Sequence, residues 1–364
     1  MMASPGSRRG WAFIVPVVLG LLAAGLVPAG DALAQSDPSW RVMNRLEGKV
    51  KNGAAGKAED VSGIACAPGP AYPRLCLVVD DESQGAQIVI LTNGMLIAGE
   101  SIRLIHDAYK GKPLELDAEG VAYADGFFYV IGSHGRARHE DDVAKQAKND
   151  AKAAATRQIF RIALSADAVD FDSGLLKSDP VITASPGLAA LLEADPVLAP
   201  FFDRALEDNG LTIEGVAVRG DKVYAALRGP IVDPGSAVIV SAPLAKVFEG
   251  QPGEMELHRL ILGVDTLGRA RGIRDLTVDG DGFLLIAGPE NDPPKDHDIA
   301  PGDYAVYAWD GGDARKVLDL NPYGKKAKPE ALLPLDQKGG TLRALLMFDG
   351  PKEGLPTPVE IPLQ

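Results

Sequence analysis

The sequence predicts an all-β fold, a β-propeller of five blades, on three observations. A strand–turn–strand unit returns about five times along the chain. The turns inside it carry the Asp and Gly residues that tight hairpins need, as in Ala124-Asp125-Gly126 and Asp279-Gly280-Asp281-Gly282. Each unit is followed by further short apolar segments, enough for two more strands per unit, and four strands repeated around a ring describe a propeller blade.

The elements follow in chain order. Residues 1–34 read as a signal peptide, with Arg8-Arg9 ahead of an apolar stretch from Trp11 to Val27 and a small-residue ending, Ala32-Leu33-Ala34. Cleavage after Ala34 leaves one propeller domain over 35–364 and places it in the bacterial periplasm or outside the cell. The whole chain has a formal charge of −13, which loss of Arg8, Arg9 and Asp31 changes to −14. Such an acidic surface disfavours nucleic acid and anionic lipid, so neither nucleic-acid binding nor membrane association after cleavage is expected.

The first repeat is Ser62-Gly-Ile-Ala-Cys66, a turn, then Leu75-Cys-Leu-Val-Val79-Asp80-Asp81. Its two cysteines lie on adjacent antiparallel strands, which predicts a Cys66–Cys76 disulfide. The second repeat, Glu119-Gly-Val-Ala-Tyr123, leads through Phe127–Ile131 to Ser133-His134-Gly135-Arg136. The third is Glu214-Gly-Val-Ala-Val218, ending at Arg228; the fourth is Arg274-Asp-Leu-Thr-Val278, ending at Glu290-Asn291-Asp292. The fifth, Glu330-Ala-Leu-Leu-Pro334, ends at Asp349.

The leading residues are spaced by 57, 95, 60 and 56. The 95-residue interval holds two insertions, a polar helix over about 139–157 and a helix at Ala189–Ala194. Five blades follow, or six if that interval hides a degenerate blade.

Glu119 to Arg136, Ile213-Glu-Gly-Val-Ala-Val218 with Leu227-Arg-Gly-Pro230, Arg271-Gly-Ile-Arg-Asp-Leu276 and Phe348-Asp-Gly-Pro351 together resemble a bacterial family known as domain of unknown function 3616. The resemblance covers most of residues 60–355 and implies no agreed activity. The Glu-Gly-Val-Ala hairpin is also similar to esterase-like phytase propellers, which implies a phosphoester or ester hydrolase as the alternative to a binding protein.

In a hairpin, the start of the first strand and the end of the second share one end. Glu119, Glu214, Arg274 and Glu330 are therefore expected on successive blades, facing one axis, with the trailing clusters beside them. One chemistry for such a mouth is an anion site built from Arg136, Arg138, Arg228, Arg271, Arg274 and His134, with Glu119, Glu214 or His134 as acid–base candidates. A second is a hard cation such as Ca²⁺ held by Asp80, Asp81, Glu119, Glu214 and Glu330. A third is purely architectural, with Glu119–Arg136, Glu214–Arg228 and Arg274–Glu290 as structural ion pairs. The ligand classes are a small anion, alone or metal-bound, or a protein partner. Motifs for nucleotide, zinc or serine-hydrolase chemistry are missing from the sequence.

Overall fold

The computed structural model describes residues 39–51, 53–69, 71–136, 145–233, 235–292, 294 and 296–363. The expected signal peptide, Arg138 and the start of the 139–157 insertion lie outside them.

Val-, Ile- and Leu-rich runs such as Leu75–Val79 and Ile88–Leu91 form strands that are buried on both faces. Continuous apolar runs of this kind suit a sheet sandwiched between neighbours. The first blade contains β4 (Val61–Cys66), β5 (Arg74–Asp80), β6 (Gly85–Thr92) and β7 (Met95–Arg103), and the preceding β1 (Arg41–Met43) adds to β7 in parallel. Two small hairpins flank this blade, β2 (Glu47–Lys51) with β3 (Ala54–Lys57) and β8 (Ala108–Tyr109) with β9 (Lys112–Pro113).

The second blade is β10 (Ala118–Ala124), β11 (Phe127–Gly132), β12 (Ile159–Ala163) and β13 (Val181–Ser185). Helix α1 (Gln146–Thr156) is inserted before β12, and α2 (Gly187–Ala194) and α3 (Ala199–Phe202) follow β13. The third blade is β14 (Thr212–Arg219), β15 (Lys222–Val232), β16 (Ser236–Pro243) and β17 (Glu256–Ile261), with α4 (Leu244–Glu249) before β17. The fourth comprises β18 (Arg271–Asp279), β19 (Gly282–Pro289), β20 (Ala305–Trp309) and β21 (Arg315–Asp319). The fifth has three strands, β22 (Lys328–Lys338), β23 (Thr341–Asp349) and β24 (Thr357–Pro362). The 95-residue interval is thus filled by helices and the outer strands of one blade, and the blade count is five.

Five apolar clusters show how the ring closes. Alternate residues of each strand point to opposite faces, so each blade packs on two neighbours. Leu285 and Ala287 join Ala226 and Ile239 of the third blade, whereas Leu284 and Ile286 join Leu332 and Leu346 of the fifth. Equivalent clusters join the first and second blades through Ile88 and Phe128, and the second and third through Ile159 and Val238. The last seam, between fifth and first, is filled by Leu333, Leu345, Val78 and Val89. Each fully buried aliphatic side chain of this kind contributes about 1.5–3 kcal/mol. The Trp40 amide donates to the Pro356 carbonyl at 2.7 Å across the same seam.

Cys66 and Cys76 oppose each other on β4 and β5 and form the expected disulfide. The Asp125-Gly126 turn has positive φ at both residues, as a two-residue hairpin of the I′ type requires.

Candidate functional site at the axial end of the propeller

The leading residue of every repeat proves to be a β-bulge. Register shifts fall between Val61 and Gly63, Ala118 and Gly120, Ile213 and Gly215, Ile273 and Asp275, and Pro329 and Ala331. Ser62, Glu119, Glu214, Arg274 and Glu330 are the extra residues, and a bulge re-aims the side chain it carries. The glycine that follows has a separate task. A Cβ on Gly63 would sit 2.9 Å from the Gly120 Cα, one on Gly120 2.9 Å from the Val216 nitrogen, and one on Gly215 2.6 Å from the Leu276 nitrogen. Only glycine lets consecutive innermost strands approach this closely. In the fourth blade the position is Asp275, whose carboxylate accepts from the Leu276 amide at 2.7 Å and reaches the fifth blade to accept from the Leu332 amide at 2.6 Å.

The bulges bring four charged side chains together. One oxygen from each of Glu119, Glu214 and Glu330 lies within 4.8 Å of the others, and all three residues are buried. Arg274, 1% exposed, places its Nη2 against Glu330 Oε1 and 3.5 Å from Glu214 Oε2. Arg228 approaches Glu214 from within β15 at 3.1 Å and also binds Asp292 at 2.8 Å and the Glu290 carbonyl. Glu119 differs from its counterparts. It is 7% exposed, and among the described residues no hydrogen bond or ion pair reaches it.

A second carboxylate group adjoins the first. Asp81, Asp117 and Glu119 each place an oxygen within 4.8 Å of the other two, with Asp81 and Asp117 half-buried. Asp81 Oδ1 is inaccessible and has no hydrogen-bond partner among the described residues. Asp117 was not identified from the sequence. It occupies the position two before the bulge, where the first repeat has Asp60, so comparison of the repeats at that offset was the signal available.

Several expected members are employed elsewhere. Asp80 belongs to neither group: its two oxygens accept from the Asp60 and Glu82 amides, each at 3.2 Å. Arg136 turns to the helical insertion, 3.1 Å from Asp150 and 3.9 Å from Asp203, and does not pair with Glu119. Arg271 donates to the Leu262, Gly302 and Asp303 carbonyls and to the Tyr307 hydroxyl. Arg274 pairs with Glu330 and Glu214, not with Glu290. The arginines therefore do not pool into one anion patch, because a buried guanidinium has to be satisfied by acceptors where it lies. Only the Glu214–Arg228 pair forms as the architectural reading expects.

His134 is fully buried, with φ 57°, rather than a residue at the surface. Its Nδ1 lies 2.8 Å from the Gly132 carbonyl, and Nε2 has no partner among the described residues. Burial lowers its pKa to about 4, against the hydrogen bond to Gly132, so the ring is neutral at ordinary pH.

Electrostatics set the axial carboxylates apart. Burial, then Glu214, Asp117 and Asp81, hold Glu119 well above the usual carboxylate range, with Arg274 opposing. Burial raises Asp81 as well, helped by Asp117, Asp60 and Asp80. Asp117 is raised by burial, partly offset by Ser133. Burial opposes the Arg228 charge, but Glu214 and Asp292 outweigh it and raise its pKa. A cavity of about 150 Å³ lies among the later residues of the innermost strands, with Ala65, Tyr123, Ala217, Val278 and Leu333 each from a different blade, and Arg74 and Thr277 also line it. The carboxylate clusters lie instead where those strands begin.

Fold and site together define a five-bladed propeller with a carboxylate-lined axial end. The model of a family described as a protein of unknown function, DUF3616, matches residues 75–355, and the chain belongs to that family. No curated protein matches the chain in sequence. Among solved structures, a GH43_1 enzyme from Xanthomonas citri overlays with a TM-score of 0.42 at 11% identity, covering 90% of each chain. GH43B of the Bacteroides ovatus xyloglucan locus overlays at 0.41 and 12% identity, over 84% of this chain and 53% of that one. Trypanosoma rangeli sialidase in complex with sialic acid gives 0.39 and 10%, over 91% and 59%. The chain thus spans little more than half the length of the last two.

Proposed function

We propose that this is an exported propeller that binds a hard divalent cation at its axial end and, through it, a small anionic ligand. The carrying observation is Glu119, a residue more than nine-tenths buried, without a hydrogen-bond or ion-pair partner among the described residues, and beside other carboxylates. A carboxylate in that condition keeps its proton until a counter-ion takes the proton's place, and the oxygens around it offer that ion its ligands. Two oxygens on one Ca²⁺, each at about 2.4 Å, are at most about 4.8 Å apart, and the Glu119, Glu214 and Glu330 oxygens meet that limit. The donors are all carboxylate oxygen, with no imidazole or thiolate, which selects Ca²⁺ or Mg²⁺ over zinc. Charge fits too: Arg274 offsets one of the three carboxylates, and a divalent ion offsets the other two. The bound ion supplies a positive centre that attracts oxyanions. The protein's own part is to hold the carboxylates in place through the bulges and to keep Arg228 and Arg274 beside them.

Calorimetric titration of the mature chain with CaCl₂ and MgCl₂ tests this. Binding is expected for the parent protein and at least tenfold weaker binding for Glu119→Gln; no heat and no thermal stabilisation by either ion would refute it. The alternative, a phosphoester or ester hydrolase, is favoured by half-buried Asp81 and Asp117, solvent-reachable acceptors beside the buried site. Turnover of a chromogenic phosphoester that is lost in folded Asp117→Asn would establish it.

A further inference from the structure

We infer that the axial end holds two cations, with Glu119 bridging them; this rests on the cation reading above and extends it. The two carboxylate groups are distinct sets with one member in common: Glu119, Glu214 and Glu330 on one side, Asp81, Asp117 and Glu119 on the other. A carboxylate has two oxygens and can bridge two ions, and among the described residues no donor reaches Glu119, which leaves both oxygens for that task.

The second group has its own sign of a missing counter-ion. Asp81 Oδ1 is buried and has no hydrogen-bond partner among the described residues. Neighbouring Asp80 takes the Asp60 and Glu82 amides, so among the described residues donors reach one aspartate and none reaches that oxygen of the next. Asp117 is held in place from the backbone, with positive φ and its carbonyl accepting from the Ser133 amide at 2.8 Å. Its carboxylate lies beside Ser133 and next to Asp81.

The two sites differ in access. The inner ligands Glu214 and Glu330 are buried and engaged with Arg228 and Arg274, which makes that site the more rigid. Asp81 and Asp117 are half-buried, so the outer ion completes its shell from solvent and is the one that meets a ligand oxygen. In this arrangement the inner ion organises Glu119, and the outer ion does the recognition.

Stoichiometry separates the outcomes. Calcium titration should give two equivalents per chain, falling to one in Asp81→Asn and in Asp117→Asn, whose half-exposed positions favour retained folding, checked by circular dichroism. Manganese at two equivalents should show a spin-coupled electron paramagnetic resonance spectrum, replaced in both variants by the six-line signal of an isolated ion. One equivalent in the parent, unchanged in both variants, would overturn the second site while leaving the first. Two equivalents with uncoupled spectra would also overturn it, by placing the second ion away from Glu119. No binding at all would remove the cation reading itself.

Discussion

Replacing Arg274 by methionine tests whether that guanidinium is the built-in counter-charge of the axial carboxylates. The side chain is 1% exposed and sits against Glu330 and Glu214, so the substitution preserves most of its bulk but removes the charge. Breaking a buried ion pair from one side costs about 3–5 kcal/mol, because the carboxylates stay behind without compensation. At about 2 °C per kcal/mol for a domain of this size, the metal-free protein should melt roughly 6–10 °C lower. The same change makes the site a better cation trap. A unit positive charge removed from about 4 Å beside a divalent ion, at an effective dielectric of about 20, corresponds to roughly 8 kcal/mol, an upper bound that still leaves calcium binding tighter by about 100-fold or more. Calcium should therefore stabilise Arg274→Met more than it does the parent and recover much of the deficit. Differential scanning calorimetry in chelator and in millimolar calcium reads both effects. A loss under 2 °C in chelator, or a deficit that calcium leaves intact, would refute the reasoning.

Three other outcomes follow. Gly215→Ala places a Cβ 2.6 Å from the Leu276 nitrogen, and backbone cannot rotate away, so urea denaturation should show a loss of about 1–3 kcal/mol; a change under 0.5 would mean the blades part freely. Opening the Cys66–Cys76 bridge by a double serine substitution frees a short loop and should lower stability by about 2–3 kcal/mol, measured the same way. His134 has a native pKa of about 4 against about 6.5 in the unfolded chain, so below pH 6.5 the unfolded state takes up a proton that the native state refuses. Its contribution is complete above pH 6.5, declines by about 3 kcal/mol as pH falls to 4, and is flat below; His134→Asn should lack that part of the pH profile in melting experiments.

Much of the architecture was legible because the repeat carries its own physics. Glu119-Gly120 and Glu214-Gly215 encode a bulged polar residue followed by a residue without a side chain, and both halves of that pair are visible in the letters. The continuous apolar run Leu284–Ala287 marked a strand, and the structure shows it packed on two faces. The Cys66–Cys76 pairing followed from two strands set side by side. Partner choice was not legible. Arg136 and Arg228 end their hairpins in equivalent ways, yet one turns outward to Asp150 and the other inward to Glu214, because the helical insertion offers the first an acceptor. Asp80 and Asp81 are neighbours, and only the local backbone decides which finds amide donors. Asp117 escaped notice because it precedes the conspicuous motif, and Asp275 because it stands where the other repeats suggest glycine.

The close passage of Gly63, Gly120 and Gly215 against the next strand, continued by Asp275 to Leu332 and completed by the Asp60–Asp349 bridge between the first and fifth blades, links the blades in a closed circuit. In a closed circuit no single blade can tilt outward unless the others yield with it. The axial carboxylates are then held at fixed spacing before anything binds, so little conformational freedom is lost on capture. If an ion binds there, its exchange rate should be insensitive to breathing of the ring, because no blade moves alone.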